Sequence, residues 1–167
     1  MGRKKQPIPT LYCEITGIAR KFPMSKNLPL TSRSLPIALL RARERVMGPI
    51  RGVLADAGVT EQQWRVLRVL QEEGPQEPTQ IAERACLLLP SLTRILKKLE
   101  DKKLIFRQRD MNDRRRQIVE IGEDGLQVIH ANLTEIMQLS ENTRAALGPD
   151  KHDMLLDLLG ELHDLEA

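Results

Sequence analysis

The feature that most constrains this chain is a change of period within residues 79–121. Leu92, Ile95, Leu96 and Leu99 recur at i, i+3, i+4 and i+7, the spacing of one helical face. Directly after them come two short β-compatible runs, Leu104–Arg109 and Gln117–Ile121, separated by the polar stretch Asp110-Met111-Asn112-Asp113-Arg114-Arg115-Arg116. A short helix from Thr79 to about Cys86 precedes the stripe, and Pro90 suits the first turn of the helix that carries it, which runs to about Lys103. The order is therefore short helix, turn, helix and a hairpin with a charged tip.

The flanks read as helices. One is expected from Leu35-Pro36 to about Ala57, ended by Gly58, with a kink or break at Gly48-Pro49. Thr60-Glu61-Gln62-Gln63 is a capping box that opens a second helix to about Glu73, before Gly74-Pro75. After the hairpin, a long helix should run from about Glu123 to Ala146. Gly148-Pro149 breaks it, and a last helix carries Met154, Leu155, Leu158, Leu159, Leu162 and Leu165. The fold class is thus mainly α with a small β-hairpin wing. Residues 1–34 hold four prolines and no persistent period, so a basic, flexible arm is expected there. Residues 35–167 should form a single domain, with a reading head at about 60–121 between helices at about 35–57 and 123–166.

Net charge is only +3, but it is unevenly distributed. Residues 1–34 hold seven Lys/Arg against one acid, and 79–121 hold eleven against six. Residues 35–78 balance, and 122–167 hold two against ten. A basic middle suits a polyanion, and an acidic end does not. On the helix opened by Pro90, Ser91, Thr93, Arg94, Lys97 and Lys98 lie off the apolar stripe. A major groove admits one α-helix. Hydroxyl and guanidinium groups near its start can reach base edges, and lysines further along suit phosphates. Arg114, Arg115 and Arg116 at the hairpin tip could enter an adjacent minor groove.

The segment Ala82–Gly125 resembles the MarR family of winged helix-turn-helix regulators. The family wing reads Asp-x-x-Asp-x-Arg, and Asp110, Asp113 and Arg115 fill its named positions. Met111 stands where that family often has proline, and Gly122 where a threonine often caps the next helix. Ala38–Glu44, Thr60–Arg65 and Arg84–Thr93 look like the homoprotocatechuate-degradation repressor branch. The resemblance implies a homodimer interlocked through its N- and C-terminal helices, with two heads on a palindromic double-stranded operator. The leucine stripe of the last helix agrees with this independently, since a chain this short needs somewhere to bury it, either against a partner subunit or by packing within one subunit.

The resemblance also implies a small aromatic carboxylate, a phenolic acid, that releases the DNA. Arg43 and Glu44 follow Leu39 and Leu40 by four residues, on the apolar side of the first helix. There the guanidinium of Arg43 could hold a carboxylate, or the two could serve as a structural ion pair. Trp64 could wall an aromatic pocket or simply fill the core. Cys86 belongs to the same candidate effector group, although its apolar neighbours favour a buried, inert thiol over an oxidant sensor. No glycine-rich phosphate loop, GxSxG or metal-ligand spacing points to an enzyme, a cofactor or a metal. The expected location is the cytoplasm, and the alternative function is constitutive or architectural DNA binding without an effector.

Overall fold

The computed structural model describes residues 30–109 and 116–165. After a short 3-10 turn, Thr31–Arg33, come α1 (Leu35–Asp56), α2 (Glu61–Glu73), α3 (Pro78–Arg84) and α4 (Leu89–Asp101). The antiparallel strands β1 (Ile105–Arg109) and β2 (Gln117–Ile121) follow, then α5 (Glu123–Leu147) and α6 (Pro149–His163). Ile105 pairs with Ile121 at one end of the hairpin and Arg109 with Gln117 at the other. Gln76, between α2 and α3, exchanges both backbone hydrogen bonds with Val119, at 3.0 and 2.8 Å, and extends the hairpin by one bridge.

One core holds the head together. α2 contributes Trp64, Val66, Leu67, Val69 and Leu70, α3 contributes Ile81 and Ala82, and α4 contributes Leu92, Ile95, Leu96 and Leu99. Leu104, Ile105 and Val119 close it from the hairpin, and Leu54 and Ile129 from α1 and α5. The capping box at Thr60 forms as expected: Gln63 N–H donates to Thr60 Oγ1 at 3.3 Å, and Thr60 N–H donates to Gln63 Oε1 at 2.9 Å.

Of the kink or break expected at Gly48-Pro49, the break does not occur: α1 runs through Pro49. A proline inside a helix costs about 3 kcal/mol or more. Breaking the helix there would also withdraw Ile50, Leu54 and Ala57, which pack on the head core, and the packing prevails.

Three helices end the same way. After α1, Gly58 has φ 69 and Val59 N–H reaches back to Leu54 O. After α3, Cys86 has φ 50 and Leu87 N–H reaches Ala82 O, and after α4, Lys103 has φ 60 and Leu104 N–H reaches Leu99 O. Each is a left-handed residue closing a six-to-one hydrogen bond. Only the first uses glycine.

The start of α5 lies directly on the foot of the hairpin. A Cβ at Gly122 would stand 2.8 Å from Lys103 O, and one at Gly125 would stand 2.3 Å from Leu104 O. A side chain at position 122 would therefore force the Lys103 carbonyl and the Phe106 ring to shift. Gly125→Ala should destabilise the protein by about 2–3 kcal/mol in denaturant unfolding, because overpacking outweighs the ~1 kcal/mol that alanine ordinarily contributes inside a helix. Leu104 O cannot step aside, since it accepts the Gly122 N–H at 2.9 Å.

Candidate nucleic-acid interface

The helix that carries the candidate DNA contacts is α4, and its pose is set from both ends. Arg65 on α2 donates from Nη1 to Ala85 O at 2.8 Å and reaches Cys86 O at 3.4 Å, clamping the α3–α4 turn. At the other end Lys102 Nζ donates to Gly58 O at 2.5 Å, tying the end of α4 to the α1–α2 turn. The four buried residues of α4 hold its inner face, so its rotation is fixed.

That rotation turns Thr93, Arg94, Lys97 and Lys98 outward, while Ser91 is half-buried. Thr93 Oγ1 donates to Leu89 O at 3.1 Å, so its hydroxyl proton is committed and its methyl and lone pairs remain available. Among the described residues Arg94, Lys97 and Lys98 have no carboxylate within ion-pair distance. The first turn of α4 carries no acid. The result is an outward row of unneutralised cations on a helix of groove-fitting width.

The hairpin is braced against this head. Arg107 on β1 pairs with Glu100 on α4, its Nε at 2.9 Å, and this hydrogen bond is the main reason the Glu100 carboxyl lies below its ordinary pKa. Arg116, at the tip end of the hairpin just before β2, pairs with Glu77, the residue that opens α3. Of the wing cations read from the sequence, Arg116 is therefore tied to a carboxylate. Asp113, Arg114 and Arg115 lie outside the described residues.

The four effector candidates have different surroundings among the described residues. Arg43 and Glu44 are not buried on an apolar side, because the first half of α1 extends past the head core and leaves Leu39, Leu40 and Val46 exposed as well. Arg43 instead donates to Glu44 at 3.1 Å and pairs with Glu61 at the start of α2. Trp64 is 7% exposed and belongs to the core. Cys86 is exposed, not buried as its neighbours suggested. The left-handed turn at Cys86 reverses the chain, so its side chain does not follow Ala85 inward.

The sequence reading missed Arg51. It lies two turns beyond Glu44 on α1, a spacing that could have revealed it, and it bonds Glu44 at 2.5 Å and Glu61 at 3.4 Å. Two arginines and two carboxylates thus join α1 to α2, with Glu61 the most enclosed, its side chain 12% exposed. The hydrogen bond from Arg51 holds the Glu44 carboxyl below its ordinary pKa, and the charges of Arg51 and Arg43 lower it further. The contribution of Glu44 to this network is therefore complete above the ordinary carboxylate range and is lost only as pH falls through that lowered value. Arg51 and Glu61 also line an open cleft of about 720 Å³, together with Val59, Thr60, Lys98 of α4 and Lys102 just after it.

The MarR family model matches residues 59–116, from the start of α2 to just before β2. The HTH-type transcriptional regulator FarR of Neisseria gonorrhoeae is 37% identical over 133 residues, 80% of this chain and 91% of that one. The homoprotocatechuate degradative operon repressor of Escherichia coli is 36% identical over 128 residues, covering 77% and 86%. Among solved structures, NadR in complex with 4-hydroxyphenylacetate superposes with a TM-score of 0.71 at 36% identity, over 83% of this chain and 100% of that one. With a basic reading helix, a braced hairpin and likeness at this level over most of both chains, the protein belongs to the MarR family of winged helix-turn-helix transcriptional regulators.

Proposed function

We propose that this chain is a homodimeric repressor that holds a palindromic operator and releases it when a small aromatic carboxylate binds. The observation that carries the reading is the outward row Arg94, Lys97 and Lys98, which no carboxylate of the described residues pairs with, on a helix whose rotation the core fixes. Arg94 takes the base-reading role and the lysines take phosphates, with Thr93 and Ser91 at the groove floor. The wing arginines Arg114 and Arg115 extend the contact, with Asp113 shaping the wing. Two heads require two subunits. α1, α5 and α6 supply the interface, since α6 buries none of its residues within one protomer. Relatives of this chain are named as a transcriptional regulator and an operon repressor, which supports a non-enzymatic, cytoplasmic role. No helix among the described residues is long and apolar enough to cross a membrane.

The effector class is supported by two kinds of observation. The E. coli relative governs homoprotocatechuate degradation and the NadR structure holds 4-hydroxyphenylacetate, both phenolic acids. In this chain Arg43 and Arg51 sit where α1 meets α2, held by Glu44 and Glu61. A ligand carboxylate competes with those side chains for the guanidinium forks. Exchanging one carboxylate for another alters the tie between the dimer helix and the head, which changes the spacing of the two reading helices. Trp64 and Cys86 are the remaining members of the proposed effector group, through the α2 core and the α3–α4 turn.

Fluorescence anisotropy on the DNA upstream of the protein's own gene, titrated with phenolic acids, tests this reading. Tight binding relieved by one acid supports it. Tight binding untouched by any acid favours a constitutive regulator. Arg43→Ala should abolish relief by that acid and leave operator affinity within about twofold, because Arg51 still bonds Glu44 and Glu61 and keeps α1 tied to the head. An unaltered response in the variant removes Arg43 from the effector site.

A further inference from the structure

The leucine run leading into α4 divides in direction. Leu87 packs against the head core, whereas Leu88 is 77% exposed and Leu89 44% exposed. Leu88 is the N-cap of α4, with φ −72 and ψ 136, and its carbonyl accepts the N–H groups of Ser91 and Leu92, both at 2.9 Å. The backbone of the helix therefore fixes where the Leu88 side chain starts. N-caps favour Ser, Thr, Asp or Asn, whose oxygens satisfy the free N–H groups of the first turn. A leucine here makes no cap hydrogen bond and stands in water beside an exposed Pro90.

This apolar tip belongs to the same element as Arg94, Lys97 and Lys98. Residues at the start of a reading helix are the ones that meet base edges. Along the floor of the major groove the base edges present donors and acceptors, and the one apolar group among them is the C5-methyl of thymine. A leucine at the tip gains nothing from the polar edges and would leave them unpaired. Against a methyl it removes apolar surface of both partners from water.

We infer that Leu88, supported by Leu89, reads a thymine C5-methyl group in the major groove of each half-site. This deepens the proposed function and rests on α4 being the groove helix. The effect belongs to sequence choice, since the phosphate contacts of the lysines do not depend on which base is present.

The test compares the upstream duplex made with thymidine against the same duplex made with deoxyuridine throughout. The replacement keeps every base-pairing group and deletes only the methyls. One methyl per half-site should weaken wild-type binding about fourfold, and about 15-fold over the palindrome. Leu88→Ala should bind the thymidine duplex more weakly and narrow the thymidine-to-deoxyuridine ratio to below about threefold. Leu88 is exposed, so the variant should melt as the wild type does. Equal wild-type affinity for the two duplexes overturns the inference and leaves DNA binding standing. Full discrimination retained by Leu88→Ala also overturns it, by assigning the effect to duplex shape. Failure of the wild type to bind the thymidine duplex overturns the inference together with the reading beneath it.

Discussion

Arg94→Ala is expected to weaken binding to a palindromic operator by roughly 30-fold to 10⁴-fold at fixed salt, because a bidentate arginine–guanine contact is worth about 1–3 kcal/mol and is made twice. Arg94 is outward-facing, and none of the described carboxylates pairs with it, so its removal frees no buried charge. Thermal stability and the oligomeric state should therefore be unchanged, which separates a lost contact from a lost fold. Lys97→Ala should behave differently. Its loss should fall equally on operator and random duplex and should lower the slope of log affinity against log salt by about 0.9 per lost phosphate contact. Anisotropy titrations of both variants on both duplexes, at three salt concentrations, make the comparison. An Arg94→Ala protein that keeps its preference for the operator would remove Arg94 from base reading.

The outward placement of Arg94 and the lysines was legible in the sequence because it needs only one helix and one apolar stripe. Leu92, Ile95, Leu96 and Leu99 define the inner face, and the other side chains follow from 3.6 residues per turn. The capping box at Thr60 and the glycine turn at Gly58 were legible for the same reason, each being a local signal in a few residues. The left-handed turns at Cys86 and Lys103 were not, since their closing bonds are set by the core on either side and no glycine marks them. Reading Cys86 by its apolar neighbours placed it inside, whereas the reversal turns it out. Arg43–Glu61 and Arg116–Glu77 join residues 18 and 39 apart, and no periodicity connects them. The continuity of α1 through Pro49 depends on what its last two turns pack against, which is again tertiary.

The double variant Leu155→Glu with Leu159→Glu is expected to be monomeric and to lose operator binding by about 10²–10⁴-fold, the factor lost when two linked half-site contacts become independent. The argument starts from what one protomer leaves uncovered. α6 exposes Met154, Leu155, Leu156, Leu158, Leu159 and Leu162, and the start of α1 exposes Leu35, Leu39 and Leu40. Covering a leucine contributes about 1.5–3 kcal/mol. The six on α6 are 36–62% exposed, so covering what remains supplies about 5–8 kcal/mol per protomer and roughly twice that per dimer, comparable with the roughly 4–15 kcal/mol that association costs. Two carboxylates per subunit in that face must lose their hydration or keep the subunits apart, and the second is cheaper. Since α6 contributes no buried residue to the head, the head should fold without the dimer. Sedimentation should then show monomers at micromolar concentration. Melting temperature should no longer rise with protein concentration, as it does when a dimer dissociates on unfolding. A variant that still sediments as a dimer would move the interface off α6.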